Sequence, residues 1–131
     1  MTLARTLTAA TLALALAPGA ALAAAHGNDL VHSRKFKGQV YMMQENHLSL
    51  YFYAGDEPGV SNCYGECAEK WPPVLLPAGT RLGENYTLIK RRDGTFQAAY
   101  KGRPLYRYYK DSRPGDINGD GIGGVWSLAR P

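Results

Sequence analysis

The stretch LYFYAGDEPGVSNCYGECAEKW, Leu50 to Trp71, is echoed by LYRYYKDSRPGDINGDGIGGVW, Leu105 to Trp126. At an offset of 55, Leu50, Tyr51, Tyr53 and Asp56 match Leu105, Tyr106, Tyr108 and Asp111. One inserted residue then moves Pro58-Gly59, Asn62 and Gly65 onto Pro114-Gly115, Asn118 and Gly121, and Trp71 and Trp126 return to the first offset. So many identities, in one order and over so short a window, mark an internal duplication.

Each part of the repeated unit has a physical role. Tyr51 and Tyr53 are two apart, as are Tyr106 and Tyr108, so on a strand each pair turns its rings to one face. Asp56 and Asp111 fall just past the strand, where a short carboxylate accepts backbone N–H groups of the next turn. Pro followed by Gly suits the two central positions of a type II turn. Trp71 and Trp126 close the two units as large apolar plugs.

Working outward, Gly38–Met43 reads as a strand, Gln44–Asn46 as a turn and Leu48–Tyr53 as the next strand. Tyr86–Lys90 and Phe96–Tyr100 flank Arg92-Asp93-Gly94-Thr95, a hairpin signal. Leu105–Tyr109 and Val125–Ala129 supply further strands, and one short helix is expected between Cys63 and Lys70, ended by Pro72-Pro73. The fold class is therefore mainly β: a small single domain, residues 38–131, of two degenerate repeats (about 38–79 and 80–131) built as a meander of short antiparallel strands.

The N-terminus carries one positive charge, Arg5, an apolar run from Leu7 to Leu16, and Ala21-Leu22-Ala23 as a cleavage signal. This is the pattern of a secretory signal peptide over residues 1–23, too short in its apolar part to span a bilayer. No cysteine follows it, so no lipid anchor is expected, and no transmembrane segment is expected in the mature chain. Residues 24–37 read as a flexible basic segment. The signal holds one of the 15 Lys and Arg and none of the 11 Asp and Glu, leaving a net charge of +3, too mild to indicate nucleic acid. The chain has only two cysteines, Cys63 and Cys67. In an oxidising compartment such a pair closes, and a four-residue spacing lies within disulfide reach.

The paired motif, with SNCYGECAEKWPP in one copy and G-x-GGVW in the other, resembles a bacterial secreted and lipoprotein repeat family defined by a Tyr-x-aromatic-x-x-Asp motif. The resemblance covers about Gly38 to Pro131. It implies bacterial export and a small β-rich repeat domain, and it brings no established activity. Many members carry a lipid-anchor cysteine that this chain lacks, which points to a periplasmic or released protein.

Three constellations were weighed for chemistry. Asp116, Asn118, Asp120 and Gly121 fit the first half of an EF-hand loop, but Ser127 stands where a bidentate Glu is needed and no helix is expected to follow. Turn formation is the favoured reading, with Asp116, Asn118 and Asp120 as weak metal candidates. Cys63 and Cys67 with His47, Met42 or Met43 could hold soft copper, but the β-α-β pattern of a thioredoxin-like domain is missing, so a structural disulfide is favoured. Asp56 and Asp111 as an acid–base pair lack a nucleophile at a diagnostic spacing. The tyrosines, Tyr109 in particular, offer an aromatic surface. The sequence thus supports an exported non-enzymatic domain that binds an unknown protein or cell-envelope component. It names no cofactor and no catalytic residue, and its alternative is extracytoplasmic redox or copper handling.

Overall fold

The computed structural model describes residues 30–131, together with Ala10 and Thr11. The expected signal peptide and residues 24–29 otherwise lie outside the described part. Among the described residues no helix is long and apolar enough to cross a membrane.

Among the described residues seven strands follow in order: β1 (Val31–Phe36), β2 (Gln39–Gln44), β3 (Tyr51–Tyr53), β4 (Tyr86–Lys90), β5 (Phe96–Tyr100), β6 (Arg103–Pro104) and β7 (Trp126–Leu128). A five-residue helix α1 (Glu66–Lys70) sits between β3 and β4, and a 3₁₀ turn (Ile122–Gly124) precedes β7. The sheets are small and antiparallel: β1 with β2, β3 with β7, and β4-β5-β6. The mainly β class and, among the described residues, the one short α-helix stand as expected.

Three expectations are corrected. Leu105–Tyr109, read as a strand, does not form one; only Tyr106 takes a bridging position, between Tyr51 and Pro73. Residues 31–36, assigned to a flexible basic segment, form β1, paired along its whole length with β2 from Val31–Gln44 to Phe36–Gln39. The charges of Arg34 and Lys35 face outward while Val31 is buried, so a basic composition coexists with a strand. The meander is also incomplete. β3 pairs with β7, from the far end of the chain, and Pro73 and Leu75, just past Trp71, bridge to Tyr106 and Gln97 of the second half. Each half therefore sends the segment after its Trp into the other half.

This exchange is mirrored bond for bond. In one place Leu50 N–H donates to Met42 O, Met42 N–H to Ala129 O, and Ala129 N–H to Leu50 O, closing a three-strand ring at 3.0, 2.8 and 2.8 Å. In the other, Leu105 donates to Ala98, Ala98 to Val74 and Val74 to Leu105, at 3.0, 2.9 and 3.1 Å. Tyr51 and Tyr106, equivalent residues, bond each other through both backbone groups. A residue paired with its own repeat equivalent lies on a pseudo-two-fold axis.

The strands at this junction are buried on both faces. Tyr41, Met43, Tyr51, Tyr106 and Leu128 enter one apolar cluster, with Cys63 and the two tryptophans. Their chain neighbours Met42, Leu50, Phe52, Leu105 and Ala129 enter a second cluster, with Val31, Val74 and Ala98. Strand alternation thus divides adjacent side chains between two cores.

Candidate functional site

The repeated motif assembles at the axis. Tyr51 Oη donates to Asp111 Oδ2 at 2.5 Å, and Tyr106 Oη donates to Asp56 Oδ2 at 2.7 Å. Each tyrosine reaches the carboxylate of the other repeat. The remaining carboxylate oxygens close the turns foreseen for them: Asn62 N–H donates to Asp56 Oδ1 and Asn118 N–H to Asp111 Oδ1. Tyr53 and Tyr108 turn to the same cluster as Tyr51 and Tyr106.

Trp71 and Trp126 stack face to face on the axis, centroids 3.8 Å apart and planes 2° from parallel. Tyr53 stacks on the far side of Trp126 at 4.4 Å, and Tyr108 on the far side of Trp71 at 4.4 Å. Tyr51 meets the edge of Trp71 and Tyr106 that of Trp126. The edge-on contacts of Tyr51 and Tyr106 are the arrangement that ring quadrupoles favour, each such pair adding about 0.5–1.5 kcal/mol beyond area burial.

Electrostatically the two arms differ. Arg91, only 4 % exposed, donates through Nη1 to Ser61 Oγ and Gln97 Oε1 and through Nη2 to Cys63 O, each at 2.7 Å. Ser61 Oγ lies 2.6 Å from Tyr106 Oη, so guanidinium, serine, tyrosine and Asp56 form one chain of polar contacts. Burial holds the Asp56 carboxyl above the usual range, against the opposing pull of the Asn62 N–H, the Tyr106 hydroxyl and the Arg91 charge. Burial, with Asp111 as bond partner and charge, raises the Tyr51 phenol strongly; burial likewise raises Tyr106. In the Asp111 arm Tyr41 stands at the repeat equivalent of Gln97, and its buried hydroxyl has no partner. Sequence reasoning missed Arg91, Ser61 and Gln97. The one available signal was Gln97, a polar residue inside the apolar strand FQAAY.

Two clefts open on either side of the axis. The first, about 210 Å³, is walled by Phe52, Tyr53, Pro58 and Pro104 and rimmed by Lys101 and Arg103, with Asp56 and Glu57. The second, about 230 Å³, is lined by Leu48, Pro72, Arg107, Tyr108, Tyr109 and Asp111. Phe52, Tyr53, Ala54 and Asp56 of the first are the repeat equivalents of Arg107, Tyr108, Tyr109 and Asp111 of the second. Tyr109 is 52 % exposed, against 0 % for Tyr106, so one ring of this stretch is accessible.

The remaining candidates are placed as follows. Cys63 and Cys67 are joined in a disulfide, Cα atoms 5.3 Å apart, with Cys63 fully buried. Met43 shares the cluster of Cys63, whereas Met42 lies in the other cluster. His47 packs edge-on against His32, centroids 5.7 Å apart. Asp116 accepts from Ser112 N–H and Arg113 N–H, Asn118 binds Asp111, and Asp120 accepts from Leu128 N–H. The three EF-hand-like side chains are thus directed at separate partners. Two backbone N–H groups hold the Asp116 carboxyl below the usual range.

A family model described as a secreted repeat of unknown function matches residues 42–75 and again 87–130. The chain belongs to this secreted repeat family. The two matched segments are the two halves related by the pseudo-two-fold axis. No curated protein and no solved structure matches the chain.

Proposed function

We propose that this secreted-repeat protein is an exported binding module, without a catalytic role, that offers its two clefts to a component of the cell envelope. The observation that carries the reading is the contrast between the clefts and what lies beneath them. The Tyr–Asp pairs and stacked indoles recur in both halves, and the phenols and carboxylates are engaged within the protein. The cleft walls have diverged: Phe52 and Ala54 on one side stand against Arg107 and Tyr109 on the other, and Arg103 against Leu48. A fixed frame with differing rims is the arrangement of a recognition protein. An exported location fits this reading, since the matching family is one of secreted repeats and residues 1–23 read as a leader. Cys63–Cys67 acts in this reading as a local staple; copper handling would need both sulfurs reduced, one of them in the core.

The test is amide chemical-shift mapping of the mature protein against soluble peptidoglycan fragments and against anionic envelope polymer. Saturable shifts confined to Tyr53, Lys101 and Arg103, or to Leu48, Arg107 and Tyr109, support the proposal. Turnover of either probe, or saturable binding that leaves both clefts unshifted, refutes it.

A further inference from the structure

The aromatic rings form a continuous path from surface to surface. Tyr109, half exposed, meets Tyr108 edge-on at 5.2 Å; Tyr108 lies 4.4 Å from Trp71, Trp71 3.8 Å from Trp126, and Trp126 4.4 Å from Tyr53 at the first cleft. Two branches leave this path. Tyr51, wholly buried, stands 5.5 Å from Trp71 with its hydroxyl on Asp111, and Tyr106, also wholly buried, stands 5.2 Å from Trp126 with its hydroxyl on Asp56.

We propose that the stacked indoles and the two tyrosine–carboxylate pairs form a one-electron relay, in which an oxidising equivalent arriving at the surface rings comes to rest on Tyr51 or Tyr106. The oxidant is an oxygen-centred organic radical or a high-potential metal complex reaching Tyr109 or Tyr53. It gains one electron through the stack and leaves an indole radical cation at Trp71 or Trp126. Tyr51 then returns one electron to Trp71 while its O–H bond breaks and the proton passes to Asp111 Oδ2; Tyr106 does the same toward Trp126 and Asp56. The products are an intact indole, a neutral tyrosyl radical and a neutral carboxylic acid. An enediol or hydroquinone in the surrounding medium restores the resting state by giving one electron through the same rings, and the carboxylic acid hands its proton back to the phenolate oxygen.

The driving physics is charge cancellation in a core of low permittivity. An indole radical cation and a carboxylate shielded from water, Asp111 buried and Asp56 partly so, become two neutral groups, which lowers the cost of holding both charges away from water. Packing alone explains the rings but not the phenols, since phenylalanine fills the same space. Each branch instead places a carboxylate where the phenolic proton must go, and the duplication supplies two such branches, one for each indole. The relay is independent of what the clefts bind.

Flash-quench oxidation of the mature protein with a ruthenium(III) polypyridyl, followed by transient absorption, tests it. The expected record is an indole radical that decays into a tyrosyl radical, with the decay slowed after full exchange into D₂O. In the variant Tyr51→Phe with Tyr106→Phe, circular dichroism confirming the fold, the indole radical outlives that of the wild type and the tyrosyl yield falls by at least half. An unchanged tyrosyl yield in the folded double variant overturns the proposal. So does an isotope-insensitive decay in the wild type, a measurement that requires no variant to fold.

Discussion

The phenol of Tyr51 and the carboxylate of Asp111, sixty positions apart, share a hydrogen bond of 2.5 Å that crosses from one repeat to the other, and Tyr106 and Asp56 return it in the opposite direction. Phenylalanine at either tyrosine leaves a carboxylate oxygen short of a donor. Tyr51→Phe and Tyr106→Phe should each cost about 1–3 kcal/mol in urea unfolding. Because both bonds span the halves, each variant should still unfold in one transition. Two separate transitions would show that the halves are independent.

The stacked indoles leave no room beside them. A Cβ at Gly119 would sit 2.8 Å from the six-membered ring of Trp71, and one at Gly115, where φ is +92°, would sit 2.4 Å from the Phe36 ring. Gly119→Ala should destabilise by about 1–3 kcal/mol through overpacking and should shift tryptophan fluorescence. Gly115→Ala should cost more, since strain at positive φ adds to the clash. Wild-type fluorescence and stability in Gly119→Ala would contradict the packing described here.

Much of this frame was legible beforehand. Tyr86–Lys90 and Phe96–Tyr100 were expected as a hairpin and form one, because Asp93-Gly94 dictates the turn locally and Gly94 takes φ of +85°. The equivalence of the repeats was readable from identities alone. Their crossing was not: nothing in the spacing of Trp71 and Trp126 says that the residues after each pair with the opposite half. Nor was the lack of a strand at Leu105–Tyr109, where one was expected and only Tyr106 takes a bridging position, between Tyr51 and Pro73. Arg91 escaped notice because it opens a polar turn, and its burial is set by Gln97 together with Ser61 and Cys63, which are distant in sequence.

Alkali should unfold this protein cooperatively. Burial pushes the Tyr86 phenol up to about 12 from an ordinary 10.0, and raises Tyr51 and Tyr106 as well. A phenol whose folded pKa exceeds its unfolded value contributes stability that is complete below pH 10.0 and is lost as the pH rises toward the folded value. The melting temperature should fall steadily above pH 10, with part of the tyrosinate absorbance appearing only as circular dichroism is lost. Full ionisation of the tyrosines in a still-folded protein would contradict this.

Acid should act in the other direction on Asp116. Its carboxyl is held low by the two N–H groups it caps, so its contribution is present above the unfolded pKa and is lost as the pH falls through the folded one. Asp116→Ala should lower the melting temperature at neutral pH, and the difference from wild type should shrink in acid. Calcium should leave both proteins unmoved; a large calcium-dependent rise reversed by EDTA would restore the metal reading of Asp116, Asn118 and Asp120.

The disulfide closes a very short loop, and its worth should match. Cys63→Ser with Cys67→Ser should lower stability by about 2 kcal/mol while keeping the fold, as urea titration and circular dichroism would show. Non-reducing mass spectrometry should find both thiol hydrogens missing in the wild type. Free thiols in protein recovered from an oxidising compartment would contradict the bond.

The crossed segments after Trp71 and Trp126 have an implication for ancestry. A solitary copy of this unit would lack the third edge of its own backbone ring and would expose one face of a lone indole. It could close only against an identical copy, giving an isologous homodimer with the stacked indoles on its symmetry axis. Gene duplication and fusion would then have turned a concentration-dependent assembly into a single chain, freeing each mouth to evolve its own chemistry.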